Sequence, residues 1–442
     1  MVQAPLPATL LVSRRHVFVA FMAVWLFAAN AQSFAAVATG ATPASGLKGR
    51  LIVGYQGWFG CPDDTPGNTR WEHWFHKNNP GADELSVDLL PAVGQFRAED
   101  LCPTPLRRAD GSSIKVFSSQ NARVVATHFE WMREHGIDGA AVQRFVGPLA
   151  IPNLKQRSDR VLANVRAGAE ASTRVFYVTY DVSGADSATV INDIRSDWHY
   201  LVSEKKITSS PRYLHLNGKP LLQLWGFGFK DRPGDAVAVA ALIRALKADA
   251  TLIGGVPANW RTLDGDSQSD RRWAEVYRSY DVLSPWSVGR FRDDVGMDKF
   301  MRQRLLPDMA ETKRLGIVYM PVIFPGFSWF NLQRGRGQNK LAILNQIPRR
   351  CGNFLWHQVS SLLNARVDTL YAAMFDEVDE GTALFPTEPR KDRLPRDGQM
   401  SFLNQDGCAL PDDWYLRITG KAAEYLRRDG VPPEKLDTVM RP

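Results

Sequence analysis

Between Leu370 and Thr382 an apolar run, Leu370-Tyr371-Ala372-Ala373-Met374-Phe375, gives way abruptly to Asp376-Glu377-Val378-Asp379-Glu380 and then Gly381-Thr382. The run reads as a buried strand that delivers acids at its C-terminal end, with Gly381 letting the chain turn away. Carboxyls crowded in this way raise the pKa of at least one of their number, which divides them into a proton donor and a proton acceptor. Cleavage of a glycosidic bond needs that division, because one carboxyl protonates the leaving oxygen while a second acts on the other side of the bond. The blander readings are an ion-pair network or a calcium site, but the run lacks the Asp-x-Asp-x-Asp-Gly spacing of a calcium loop. Alternation along an extended chain points Glu377 and Asp379 one way and Asp376 and Glu380 the other, so the residues alone leave open which two would act.

To hold such acids the rest of the chain alternates strand and helix. Strands are expected at 51–55, 138–145, 175–180, 220–225, 252–256, 281–286, 318–324 and from 370 onward, separated by helical patterns at 121–135, 158–171, 188–202, 236–248, 271–280, 297–315 and 354–365. Eight such units predict an α/β fold, a single (β/α)8 TIM-type barrel with long loops after the strands. Asn217-Gly218 between two apolar runs predicts a hairpin before the fourth strand, which makes His215 a hairpin residue. A helix at 413–428 closes the domain. No Gly-x-Gly-x-x-Gly or Walker-type loop follows a strand, so the nucleotide-binding open sheets are excluded, and no cofactor or metal is expected.

Barrel enzymes place their chemistry at the C-terminal ends of the strands. Candidate substrate-binding residues are therefore Tyr55, Gln56 and Trp58 after the first strand, Gln143 and Arg144 at the second, and Tyr180 and Asp181 at the third. Trp225 at the fourth and Trp286 at the sixth complete the set, with Trp260 and Phe324 beside the fifth and seventh. Aromatic rings stack on the C–H faces of sugars, and amides and carboxylates bind hydroxyls. Trp71-Glu72-His73-Trp74 reads equally as a wall of the site or as a packing cluster. A loop with Arg334, Arg336 and Lys340 between glycines is expected to be solvated rather than a lid.

A chain of 442 residues that is 44% hydrophobic and 23% charged suits one catalytic domain, expected at 46–430, with 431–442 as a C-terminal tail. Arg14-Arg15 ahead of the apolar run from Val17 to Ala29, followed by Ala29-Asn30-Ala31, reads as a signal peptide within residues 1–38, with a hint of the twin-arginine route. A secreted or periplasmic protein is expected, with no membrane association after cleavage. The formal charge of +7 falls to about +5 without the leader and shows no clustered basic stripe, which argues against nucleic acid as a partner. In an oxidising compartment Cys61, Cys102, Cys351 and Cys408 admit three pairings. Cys61–Cys102 and Cys351–Cys408 are favoured, because each closes a loop departing from a strand end.

Three segments carry a family resemblance: FDEVDEGTALF at 375–385, VGYQGWFG at 53–60 and IPRRCGNFLWHQ at 347–358. Together they resemble the bacterial branch of glycoside hydrolase family 99 and its family 71 relatives, members of which often carry only the label xylosidase/arabinosidase. The resemblance implies that the Glu-x-x-Glu-Gly-Thr motif falls on Glu377 and Glu380. It makes Glu380 the general acid and later base, and gives Glu377 the task of drawing the proton from the sugar 2-hydroxyl so that a 1,2-anhydro sugar forms and is opened with retention. It further implies an endo-acting enzyme on α-mannoside chains, with α-1,3-glucan or pentosides as other substrates in the clan. A monomer acting on an oligo- or polysaccharide is expected. The other class of reading is a non-catalytic carbohydrate-binding barrel, which has no use for two crowded acids.

Overall fold

A computed structural model describes residues 44–440, so the signal-peptide reading lies outside the described residues. Near-continuous apolar runs form parallel strands covered on both faces, as such sequences must. Strand β1 (Arg50–Tyr55) is buried at every position and pairs in parallel with β12 (Thr369–Ala372) on one side and β4 (Gly139–Phe145) on the other. From β4 the sheet runs through β5 (Val175–Asp181), β7 (Lys219–Trp225), β8 (Thr251–Gly255) and β9 (Val282–Leu283) to β10 (Val318–Tyr319). A short step further along the chain, β11 (Val322–Ile323) pairs with β12.

Strands β10 and β11 are two halves of the expected seventh strand, and the break falls at Met320-Pro321. Proline has no N–H to give to a ladder. The chain sidesteps there, with the Met320 N–H donating to the Leu283 carbonyl at 2.8 Å and the Tyr371 N–H donating to the Pro321 carbonyl at 3.0 Å. The first half therefore serves the sixth strand and the second half the eighth, which completes the circuit back to β1. The predicted (β/α)8 barrel is the fold, with helices between the strands on its outside.

Most elements begin and end within a few residues of expectation. The helix Ala122–Glu134 is capped by the Asn121 side chain, which accepts from the Arg123 N–H. Asn217 and Gly218, at φ 54° and 79°, make the turn between β6 (His215–Leu216) and β7. The helix Pro152–Ser172 starts earlier than its apolar periodicity suggested, at a proline well suited to a first helical turn. An antiparallel hairpin of β2 (Leu101–Arg107) and β3 (Ser113–Phe117) was not anticipated inside the long loop after β1. Pro103 and Pro105 argue against a strand there, and its register does shift between Pro103 and Arg107.

Both favoured disulfides are present. Cys61–Cys102 pins the hairpin to the end of β1, and Cys351–Cys408 ties the start of the helix Asn353–Asn364 to the closing loop. Beyond residue 430 the chain does not trail away. The Trp356 indole donates to the Pro433 carbonyl at 2.9 Å, and Leu436 is buried in the short helix Leu436–Val439.

Candidate active site

Strand β12 stops at Ala372 and the acids follow at the mouth of the barrel. Asp376 is wholly buried and accepts from the backbone N–H groups of Gln56 and Gly57, both at 2.8 Å. It staples the end of the eighth strand to the end of the first. Burial nevertheless pushes its carboxyl up to about 7 against those two hydrogen bonds.

Glu377 is buried and held through both oxygens. The Gln56 side-chain amide donates to Oε1 at 2.6 Å, and the Thr382 hydroxyl donates to Oε2. Glu380 is partly accessible; its backbone carbonyl accepts from the Ser328 N–H at 2.8 Å, and its carboxylate has no donor among the described residues. Burial first, and then the neighbouring charge of Asp379, pushes Glu380 up to about 7, opposed by Arg336 and Arg232. Glu377 is pushed well above the ordinary carboxylate range by burial and then by Glu380 and Asp379. The charge of Glu380 thus adds to the rise of Glu377, so ionising both at once is unfavourable. Enclosure favours a proton on Glu377. Two donors aimed at Glu377 favour its ionised form and leave the proton to Glu380.

The predicted strand-end residues divide by parity. Adjacent positions on a strand point to opposite faces, and only one member of each pair reaches the interior. Gln143 faces inward, its amide 3.4 Å from the Tyr371 hydroxyl, while Arg144 points outward into the helical layer. There its guanidinium binds Asp197 at 2.5 and 2.7 Å and Asp159 at 2.8 Å. Tyr180 also points outward and donates to Asp197 at 2.7 Å. Tyr55 does the same, its hydroxyl 2.9 Å from His128 Nδ1 on the covering helix. Tyr55, Arg144 and Tyr180 are thus framework residues rather than substrate contacts. Trp260, bonded to Asp308 at 3.0 Å, and Phe324 are likewise buried packing residues.

Gln56 and Asp181 stay with the acids. Burial raises Asp181 to about 6, its charge contributes to the rise of Glu380, and it accepts from the Ser183 N–H at 2.8 Å. Trp225 and Trp286 meet edge-to-face at 5.2 Å, and Trp286 lies 6.5 Å from the Tyr371 ring, so these three aromatics share the inner wall. Trp58 lies between His73, stacked at 4.1 Å, and Phe145 at 5.4 Å. Both its faces are covered, which leaves it as a support rather than an open stacking platform.

Residues that single-position reasoning passed over include Tyr371, Thr382 and Arg232. Thr382 was legible in the Gly-Thr that follows the acids. Tyr371 lies on the acid strand with inward parity. Arg232, in the loop after β7, carries no sequence signal. A cavity of about 840 Å³ lies at the opposite end of the barrel among Asn217, Tyr280, Asp281 and Ile317, away from every acid described above.

Fold and site together define a class: a (β/α)8 barrel with two neighbouring glutamates, one buried and one partly accessible, and an aromatic wall at the C-terminal mouth of its strands. No family model matches the chain, and no curated protein matches it. Among solved structures, it is similar to the GH99 endo-alpha-mannosidase of Bacteroides thetaiotaomicron in complex with bis-tris propane. The two share 15% identity at a TM-score of 0.61 over 87% of this chain and 98% of that one. Another structure of a GH99 endo-alpha-mannosidase from that organism agrees at a TM-score of 0.60 and 15% identity, over 87% and 99% of the two chains. The likeness shows a shared fold.

Proposed function

We propose that the protein is a retaining glycoside hydrolase that cleaves α-mannoside chains internally, in the manner of family 99. One observation carries the reading: Glu377 and Glu380 stand together at the barrel mouth, both held above the ordinary carboxylate range, with hydrogen-bond donors on the Glu377 carboxylate and none on the Glu380 carboxylate among the described residues. In this reading Glu377 takes the proton of the sugar 2-hydroxyl, and O2 attacks the anomeric carbon as the bond to the leaving oxygen breaks. Glu380 delivers its proton to that oxygen. Glu380 then takes a proton from water, whose oxygen attacks the anomeric carbon. The C1–O2 bond opens, O2 recovers its proton from Glu377, and the configuration is retained. The route differs from the usual retaining pair, in which the second carboxylate attacks directly.

Gln143, Tyr371, Trp225 and Trp286 form the sugar-facing wall in this scheme, and Asp181 lies close to the acid. The two disulfides are of a kind that persists in oxidising compartments, which supports a secreted or periplasmic location. The domain expected at 46–430 carries the chemistry in this reading, and the docked segment after it belongs to the same body. Glu380→Gln is expected to lower turnover of α-mannan oligosaccharides by at least about 10²–10⁴-fold, with binding retained. Unchanged turnover in that variant rejects the assignment. Wild-type hydrolysis of α-1,3-glucan or arabinoxylan in place of α-mannan retains the chemistry and replaces the substrate.

A further inference from the structure

His73 is fixed from every side except one. Its backbone lies at φ 61°, a left-handed conformation uncommon for a side-chain-bearing residue. The chain on either side is locked. Glu72 and Gly60 exchange backbone hydrogen bonds at 3.0 and 3.1 Å, the Ser86 N–H donates to the Trp74 carbonyl at 3.1 Å, and the Ser86 hydroxyl donates to the His73 carbonyl. The Trp74 indole anchors the segment to the Phe117 carbonyl at 2.9 Å. The imidazole lies flat on Trp58, 4.1 Å away with 7° between the planes. Its Nδ1 is turned toward Asp379, 3.6 Å from Oδ2, within ion-pair range but longer than a hydrogen bond.

What remains is Nε2, which has no hydrogen-bond partner among the described residues, on a side chain that is 39% exposed. Asp379 mirrors this. It is 1% exposed, and its Oδ1 is buried without a partner among the described residues. Its charge acts on Asp376, Glu377 and Glu380 alike, which places it within the same acid cluster. A buried carboxylate oxygen without a donor is unfavourable unless something supplies one.

We propose that His73 Nε2 and Asp379 Oδ1 form a hydroxyl-binding pair for the sugar held across Glu377 and Glu380, with Trp58 as the support that keeps the imidazole in place. The proposal rests on the carbohydrate reading above and adds a specificity determinant to it. A polyhydroxylated ring supplies both what Asp379 lacks, a hydroxyl donor, and what Nε2 needs, a hydroxyl partner.

The test uses calorimetric binding to the Glu380→Gln protein and to the same protein with His73→Phe or His73→Gln. The ligands are α-mannan, α-1,3-glucan and arabinoxylan oligosaccharides, together with methyl α-mannoside and its monodeoxy forms. Phenylalanine keeps the stack on Trp58 and removes Nε2, so affinity is expected to fall about tenfold, as for the loss of one hydrogen bond. Glutamine restores part of it. The penalty for removing one particular sugar hydroxyl is expected to vanish in His73→Phe, which a merely structural role would not produce. Should His73→Phe fail to fold, the His73→Gln protein and the deoxy series decide.

Unchanged affinity and unchanged deoxy penalties in the variants overturn the proposal while leaving the hydrolase reading intact. Binding that depends on His73 in a wild-type protein that hydrolyses nothing in the panel overturns the hydrolase reading and leaves this one. Absence of binding to every sugar overturns both.

Discussion

Replacing Glu380 by glutamine is expected to make the protein more stable as it makes it inactive. The carboxyl rises from its ordinary 4.5 to about 7, chiefly because it is enclosed. Ionising it in the folded state therefore costs about 3 kcal/mol relative to the unfolded chain, and about 2 kcal/mol once its partial exposure is allowed for. The sign follows from which state holds the proton more tightly. Below pH 4.5 the group is protonated in both states and the cost is absent. Between 4.5 and 7 the unfolded chain gives up the proton first, and the cost grows; above 7 it is complete. Glutamine never ionises and escapes it. Scanning calorimetry of both proteins at pH 4.5, 6 and 8 is expected to show melting temperatures that nearly coincide at the lowest pH and diverge in favour of the variant by about 3 °C at the highest. Coincident melting at all three values, or a variant less stable at pH 8, refutes the claim that Glu380 is held in an environment hostile to its charge.

Three further outcomes follow from the same geometry. Asp379→Asn removes the largest neighbouring charge acting on Glu380, so the alkaline limb of the rate profile is expected to move down by roughly half to one pH unit; an upward move contradicts the assignment of that limb to Glu380. Arg144→Met removes the two-pronged guanidinium contact to the buried Asp197, leaves it only the longer ion pair to Lys155 at 4.0 Å, and is expected to destabilise by about 3 kcal/mol in urea titration, with substrate affinity of the folded protein unchanged. A large loss of affinity at constant stability would return Arg144 to the site. Cys351→Ser combined with Cys408→Ser opens a link spanning 57 residues and is expected to lower stability by about 4 kcal/mol, measured by the same titration, with the active site still formed.

Much was legible in the sequence because it depends on local pattern. Apolar runs alternating with amphipathic helices specify strands and helices in order, Asn217-Gly218 specifies its turn, and a strand ending in acids places them at the barrel mouth. Parity was partly legible too. Gln143 and Arg144, or Tyr180 and Asp181, cannot both face inward, although each residue type suits a site. Which member of each pair does so is set by the register of β4 against β5 and its neighbours, a relation between segments far apart in the chain. Buried strands are apolar on both faces, so composition gives no hint.

Tertiary structure alone decided the rest. It set His73 on Trp58 and beside Asp379, joined Gln56 to Glu377, and split the seventh strand at Pro321 so that its halves serve different neighbours. Each of these is a contact between residues whose spacing in sequence carries no information about their distance in space, because burial and closure of the ring, rather than local preference, bring them together.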